Sequence, residues 1–255
     1  MSKKIIILDK VNEILIYGLK NMGFDVDYDI NCSKNELLNN IDNYTGIIIR
    51  SRFKIDKILI DKAKKLKFIA RVGAGMESID VDYAVLKGIK CINSPEGNRD
   101  ALAEHTVGML LALSKKILKS NNDVRKFLWL RDENRGDEIG GKTIGIIGYG
   151  NMGGAFAKRL KWFDVKVIAY DKYKKDYSDE YVKEVDMKEI YEETDILSLH
   201  VPLTSETKYL ITKDYIKKFK KNIILLNTSR GPVVNTSDLI ECLKGGKIVG
   251  AGLDV

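Results

Sequence analysis

Cysteine is scarce. Cys32, Cys91 and Cys242 are the three in 255 residues. They are far apart, odd in number and without a C-x-x-C pair. That argues against a disulfide framework or a zinc site, and for a reducing cytoplasm. Proline is equally sparse, with three residues against 21 glycines, so the chain is neither collagen-like nor low-complexity. No apolar run approaches the roughly 20 residues of a membrane span. The apolar stretch at residues 5–8 is too short for the core of a signal peptide, so a cytoplasmic location without membrane association is expected. No basic helix interleaved with aromatics and no nucleic-acid motif occurs, so no nucleic-acid partner is expected. Lysine and arginine (43) exceed aspartate and glutamate (36), giving a net charge of +7. A solvated, lysine-rich surface accounts for this; attraction to an anionic ligand such as a nucleotide is the alternative.

Short β-branched runs alternate with amphipathic segments. In the first part, residues 5–8, 24–28, 47–49, 68–72 and 89–92 read as strands. Between them, Val11, Ile14, Leu15 and Leu19 fall at helical spacing, and residues 35–41, 55–63 and 81–87 read as further helices. A long helix is expected from about 98 to 120, as a hinge or spine. A polar arm over residues 121–141 carries Phe127, Leu128, Trp129 and Leu130. This apolar cluster reads as an oligomer contact or, equally, as packing against its own domain. A second block gives strands at 144–147, 165–169, 182–185, 196–199, 223–226 and 248–253, with a helix at 151–162. Strand–helix alternation implies parallel sheets covered on both faces, an α/β fold. Six strands is the full count of a doubly wound dinucleotide fold.

Gly148-Tyr149-Gly150-Asn151-Met152-Gly153 is a G-x-G-x-x-G. It follows an apolar strand and opens an amphipathic helix, as the dinucleotide fingerprint requires. Gly148 permits the tight turn, Gly150 lets the backbone approach a pyrophosphate, and Gly153 lets the helix sit close to the sheet. The helix N-terminus offers free N–H groups to the phosphates. Asp171 ends the next strand, where an acid accepts from both ribose hydroxyls and repels a 2′-phosphate. That favours NAD over NADP, with Lys172, Lys174 and Lys175 weakening the preference. The same acid suits other adenosine ligands, so the fingerprint alone does not choose the reaction.

Two later stretches do. One is His200-Val201-Pro202-Leu203-Thr204-Ser205-Glu206-Thr207; the other is Asn227-Thr228-Ser229-Arg230-Gly231-Pro232-Val233-Val234. With the fingerprint, with Arg71-Val72-Gly73-Ala74-Gly75 and with Ala103-Glu104-His105-Thr106, they resemble the D-isomer-specific 2-hydroxyacid dehydrogenases. That family includes 3-phosphoglycerate, glyoxylate and D-lactate dehydrogenases. The resemblance implies two Rossmann-like doubly wound domains. The first, residues 1–95, would be a flavodoxin-like substrate domain; the second, residues 96–255, would be an NAD-binding Rossmann domain. It implies an oxidoreductase that interconverts a 2-oxo acid and a D-2-hydroxy acid by hydride transfer, with no metal.

Residue by residue, Arg230 would hold the substrate carboxylate and polarise the 2-oxo group, since a guanidinium fork matches a carboxylate. Backbone N–H groups of Val72 and Gly73, with Ala74 beside them, would meet the carboxylate from the first domain. Asn151 and Met152 would meet the pyrophosphate through their backbone. Val201, Pro202, Thr207, Thr228 and Ser229 would line the nicotinamide-ribose side, and Asp254 would hold the carboxamide. His200 is expected to shape the nicotinamide wall, and His105 to be a packed or hydrogen-bonded core histidine.

There are departures. Asn235 replaces the usual Asp and is expected to cap the following helix. Glu77-Ser78 replaces a common Asp-Asn. The family's catalytic Glu and His would align beyond Val255. The chain is therefore expected to be truncated relative to the family and impaired in turnover. An exposed apolar patch is expected where the first domain's return helix would pack. A homodimer through the arm is the family's common arrangement. A non-catalytic NAD-binding or regulatory module is the alternative role.

Overall fold

The computed structural model describes residues 3–255, and the chain divides into two compact units, Met1–Asn98 and Arg99–Val255. The first unit runs β1 (Lys4–Ile7), α1 (Glu13–Asn21), β2 (Asp25–Tyr28), α2 (Lys34–Asn40), β3 (Gly46–Ile49), α3 (Lys57–Lys62), β4 (Phe68–Arg71), α4 (Val81–Leu86) and β5 (Lys90–Asn93). Its five strands are parallel, in the order β2-β1-β3-β4-β5. That is the flavodoxin-like order.

Strand periodicity makes two cores from the isoleucine runs. Ile6, Leu8, Ile47 and Ile49 face one cluster with Leu37, Leu59 and Ile69. Ile5, Ile7 and Ile48 face the other, against Leu15, Ile16 and Leu19. Asn12, Ser33, Asp56 and Asp80 cap the four helices, Ser33 with Glu36 as a reciprocal capping box. Helix α1 buries no residue fully, and Ile14, Tyr17 and Met22 are exposed.

The chain continues through α5 (Glu96–Ser114) and α6 (Ile117–Arg125). A single long helix over 98–120 is therefore corrected to two. Lys116 adopts a left-handed φ of 50° between them. The break is tertiary: the Asp137 N–H takes the Ser114 carbonyl that a continuing helix would use. In the arm that follows, Phe127 is 99% and Trp129 83% exposed.

The second unit's sheet comprises β6 (Thr143–Ile147), β7 (Lys166–Tyr170), β8 (Lys183–Glu184), β9 (Ile196–Leu199), β10 (Ile223–Asn227) and β11 (Ile248–Leu253). The helices α7 (Asn151–Leu160), α8 (Met187–Glu193), α9 (Lys213–Lys217) and α10 (Thr236–Lys244) lie between them in sequence. All pairs are parallel, in the order β11-β10-β9-β6-β7-β8. This is the doubly wound dinucleotide order, and its switch point lies between β6 and β9. Asn235 caps α10 by accepting from Asp238 N, as expected from the sequence. Among the described residues, no helix is long and apolar enough to cross a membrane.

Candidate functional site

The second unit places its chemistry at one sheet edge. The segments after β6, β7, β9, β10 and β11 all follow the C-terminal ends of parallel strands, where open α/β sheets bind ligands. The glycine turn after β6 shows why each glycine stands where it does. Gly148 has a φ of +92°, and a Cβ there would lie 2.5 Å from His200 O and 3.0 Å from Val201 Cγ1. A Cβ on Gly153 would lie 2.2 Å from Gly148 O. Gly150, by contrast, faces open space, with nothing within 4 Å of an added Cβ. It is also the N-cap of α7, and no side chain caps that helix. The first N–H groups, those of Asn151 and Met152 included, thus have no capping side chain, beside a surface that backbone alone defines.

Asp171 follows β7. Its Oδ2 accepts from Tyr149 N at 2.8 Å, and its Oδ1 from Tyr173 N at 2.9 Å and Lys174 N at 3.0 Å. Partial burial pushes its carboxyl pKa up, but these three donors outweigh it and hold the pKa below the usual range. The acid thus stitches the glycine turn to the β7 loop. A carboxylate has about four acceptor positions, so about one is left uncommitted by these three donors.

After β9, Thr204 N donates to Thr207 Oγ1 at 2.8 Å, and the Thr207 hydroxyl donates to Pro202 O. The Thr207 hydroxyl therefore braces its own turn. His200 turns inward: Nε2 lies 2.9 Å from Ser198 Oγ, and the ring packs on Phe156 at 5.4 Å. Burial of the imidazole lowers its pKa to about 4, so it is neutral at pH 7.

After β10, Asn227 organises the turn. It is 1% exposed. Its Oδ1 accepts from Ser229 N and Ser229 Oγ, and its Nδ2 donates to Arg230 O at 3.0 Å. Thr228 and Ser229 are buried, and Thr106 Oγ1 donates to Thr228 Oγ1 at 3.3 Å. Arg230 is half-buried, and its Nη1 donates to Ser229 O at 2.7 Å. Asn227 O also receives the Asp254 N–H. Asp254 Oδ1 lies 3.1 Å from His105 Nε2. His105 is hydrogen-bonded as expected but not in the core, since its side chain is 54% exposed.

Within the first unit, the loop after β4 holds the remaining candidates. The Val72 N–H donates to Ile49 O at 2.9 Å, extending the β3–β4 ladder. The expectation that it faces a carboxylate is corrected by that ladder bond. The Gly73 N–H reaches Ser94 Oγ at 3.3 Å, and Gly73 has a φ of +144°. Ala74 O accepts from Asn93 Nδ2 at 2.6 Å.

Asn227 and Tyr149 were not singled out from the sequence. Asn227 had a signal: an Asx residue at a strand end, bonding the N–H two residues on, makes an Asx turn. Tyr149 had none, because its stacking on Tyr177 (5.0 Å, 25°) joins segments distant in sequence. Among the described residues, no group of three or more His, Cys, Asp or Glu is placed to hold a metal ion. A dinucleotide would fit: the uncapped helix end would take phosphate, the open face of Gly150 would leave room for it, and Asp171 closes the neighbouring strand.

Comparison with known proteins agrees. Residues 107–255 match the family model described as D-isomer specific 2-hydroxyacid dehydrogenase, NAD binding domain. The D-3-phosphoglycerate dehydrogenase of Archaeoglobus fulgidus is 36% identical over 254 residues, covering 99% of this chain and 48% of the relative. The hydroxypyruvate reductase of Thermotoga maritima is 39% identical over 222 residues, covering 87% of this chain and 72% of the relative. The solved D-lactate dehydrogenase from Aquifex aeolicus, complexed with NAD and lactic acid, has a TM-score of 0.84 at 30% identity, covering 99% of this chain and 76% of that one. The chain spans about half the length of the phosphoglycerate dehydrogenase it matches. The glycine turn, the strand order and these matches together establish that this chain belongs to the D-isomer specific 2-hydroxyacid dehydrogenase family and carries its NAD-binding domain.

Proposed function

We propose that the protein interconverts a small 2-oxo acid and a D-2-hydroxy acid with NAD, and that the 255-residue chain binds the cofactor but turns over poorly. The observation that carries the reading is the uncapped α7 N-terminus beside the open face of Gly150, with Asp171 at the end of the neighbouring strand. Bound NAD supplies hydride transfer at its nicotinamide. Gly148, Gly150, Asn151, Met152 and Gly153 present backbone to the pyrophosphate. Val201, Pro202 and Thr207 shape the wall after β9, and Thr228 and Ser229 the floor after β10. Asp254 orients the carboxamide. Arg230, fixed by Asn227, grips the substrate carboxylate and polarises the 2-oxo group.

Proton transfer is where this chain is weak. Its two histidines are both committed: His200 is neutral against Ser198, and His105 is bound to Asp254. Neither is set to donate a proton to a substrate oxygen. The same commitment favours a second reading, a non-catalytic NAD-binding module. The exposed Phe127 and Trp129 support a homodimer through the arm.

One preparation tests these points. NADH fluorescence titration is expected to show saturable binding, while NADH oxidation over glyoxylate, hydroxypyruvate and other 2-oxo acids stays near background. Absence of NADH binding would remove the cofactor assignment, and brisk turnover would remove the claim of impairment. Sedimentation of the same sample, with and without Phe127→Ser and Trp129→Ser, checks the dimer. A monomeric parent chain would end that reading.

A further inference from the structure

Three lysines, Lys172, Lys174 and Lys175, follow the acid assigned to the ribose. A cation beside that acid is the feature that accommodates a 2′-phosphate in this fold. Asp171 has about one acceptor position left after its three backbone donors. Its own hold on the ribose is therefore limited, and the fate of the lysines matters for cofactor choice.

Two of the lysines are engaged. Lys174 Nζ sits 5.1 Å from the Tyr149 ring centroid and 5.6 Å from that of Tyr177. Lys172 Nζ lies 2.8 Å from Glu206 Oε2. The same carboxylate oxygen accepts from the Tyr173 hydroxyl. Glu206 belongs to the segment after β9, on the far side of β6 from β7. It rides on a braced turn, since its own N–H donates to Thr204 Oγ1 at 3.3 Å and Thr204 is tied to Thr207. Lys172 holds the Glu206 carboxyl below its usual range, and Glu206 raises the lysine. The pair is about half exposed, 57% and 49%, so it contributes little to folding and its removal reads out on ligands.

We propose that Glu206 is a second determinant of NAD over NADP, withdrawing Lys172 from the ribose 2′ position and adding a negative charge that opposes a 2′-phosphate. The proposal rests on the dinucleotide reading of the site. It gives the loop after β9 a role at the adenosine end of the cofactor as well as at the nicotinamide end.

The test is binding, not turnover. NADH and NADPH are titrated by fluorescence against the parent chain, Glu206→Gln, Lys172→Gln and the double variant, each with a melting curve to verify folding. Glu206→Gln is expected to narrow the NADH-to-NADPH affinity ratio roughly fivefold, the scale of one exposed ion pair. Lys172→Gln on that background should reverse most of the narrowing, and added salt should shrink it. A parent chain that binds NADH, with a Glu206→Gln variant whose affinity ratio is unchanged, overturns the proposal alone. A parent chain that binds neither nucleotide overturns the cofactor reading and the proposal with it.

Discussion

His105 Nε2 lies 3.1 Å from Asp254 Oδ1, tying helix α5 to the residue that follows β11. Asp254 is held a second time through its N–H on Asn227 O. Its carboxylate is thus aimed from two sides, one of them the same asparagine that sets the Arg230 turn. On the proposed assignment to the carboxamide, Asp254→Ala should weaken NADH binding about tenfold, the scale of a hydrogen bond to a charged group. His105→Ala should cost less, and the double variant should lose less than the product of the two, because one acts through the other. Fluorescence titration of the three variants measures this. Undiminished affinity in Asp254→Ala would take Asp254 out of the site.

Gly150 and Gly153 separate binding from folding. An alanine methyl at Gly153 would sit 2.2 Å from Gly148 O and 3.2 Å from Ile146 Cγ2, neither of which is a flexible side-chain end. Helix propensity would favour alanine there by about 1 kcal/mol, but overpacking of roughly 1–3 kcal/mol should outweigh it. Gly153→Ala is therefore expected to melt lower. At Gly150 the added methyl meets nothing, so Gly150→Ala should melt like the parent chain. On the proposed pyrophosphate assignment it should nonetheless bind NADH more than about tenfold less tightly, since the methyl would stand where the phosphates approach. Parent-like NADH affinity in a folded Gly150→Ala variant would refute the pyrophosphate assignment.

His200 carries a pH signature. Its pKa falls from an ordinary 6.5 to about 4 in the fold. Between those values the unfolded chain binds the proton and the native chain does not. Stability therefore rises with pH across that window and is lost as pH falls from 6.5 toward 4, by at most about 3 kcal/mol from this group. His200→Gln keeps a polar partner for Ser198 but cannot titrate. Its melting temperature should fall less steeply than the parent's between pH 6.5 and 4. Parallel curves would mean that other groups set the acid limit.

Much of this was legible in the sequence, because it rests on local rules. The isoleucine runs, the glycine fingerprint and the six-strand count need only periodicity and turn chemistry; the two doubly wound arrangements came from the family resemblance, and the observed strand orders agree with them. The cap at Asn235 was legible for the same reason. What escaped depends on partners distant along the chain. Lys116 breaks α5 from α6 because Asp137 captures a carbonyl, although apolar spacing continues through the break. Val72 gives its N–H to Ile49 because of where the ladder's phase falls. His200 turns toward Ser198 and Phe156, a choice of rotamer that no spacing encodes. Glu206 reads as a surface acid until the fold brings it to Lys172.

The three backbone bonds of Asp171 constrain how cofactor preference can drift. An acid that also fastens Tyr149, Tyr173 and Lys174 cannot be exchanged for a neutral residue without loosening the turn proposed to receive the phosphates. A lineage moving toward NADP through that position would pass through intermediates with a slack glycine loop. Changes at peripheral charges such as Glu206 leave the loop intact. Cofactor preference in this scaffold should therefore shift first at the rim, with the strand-end acid the last position to yield.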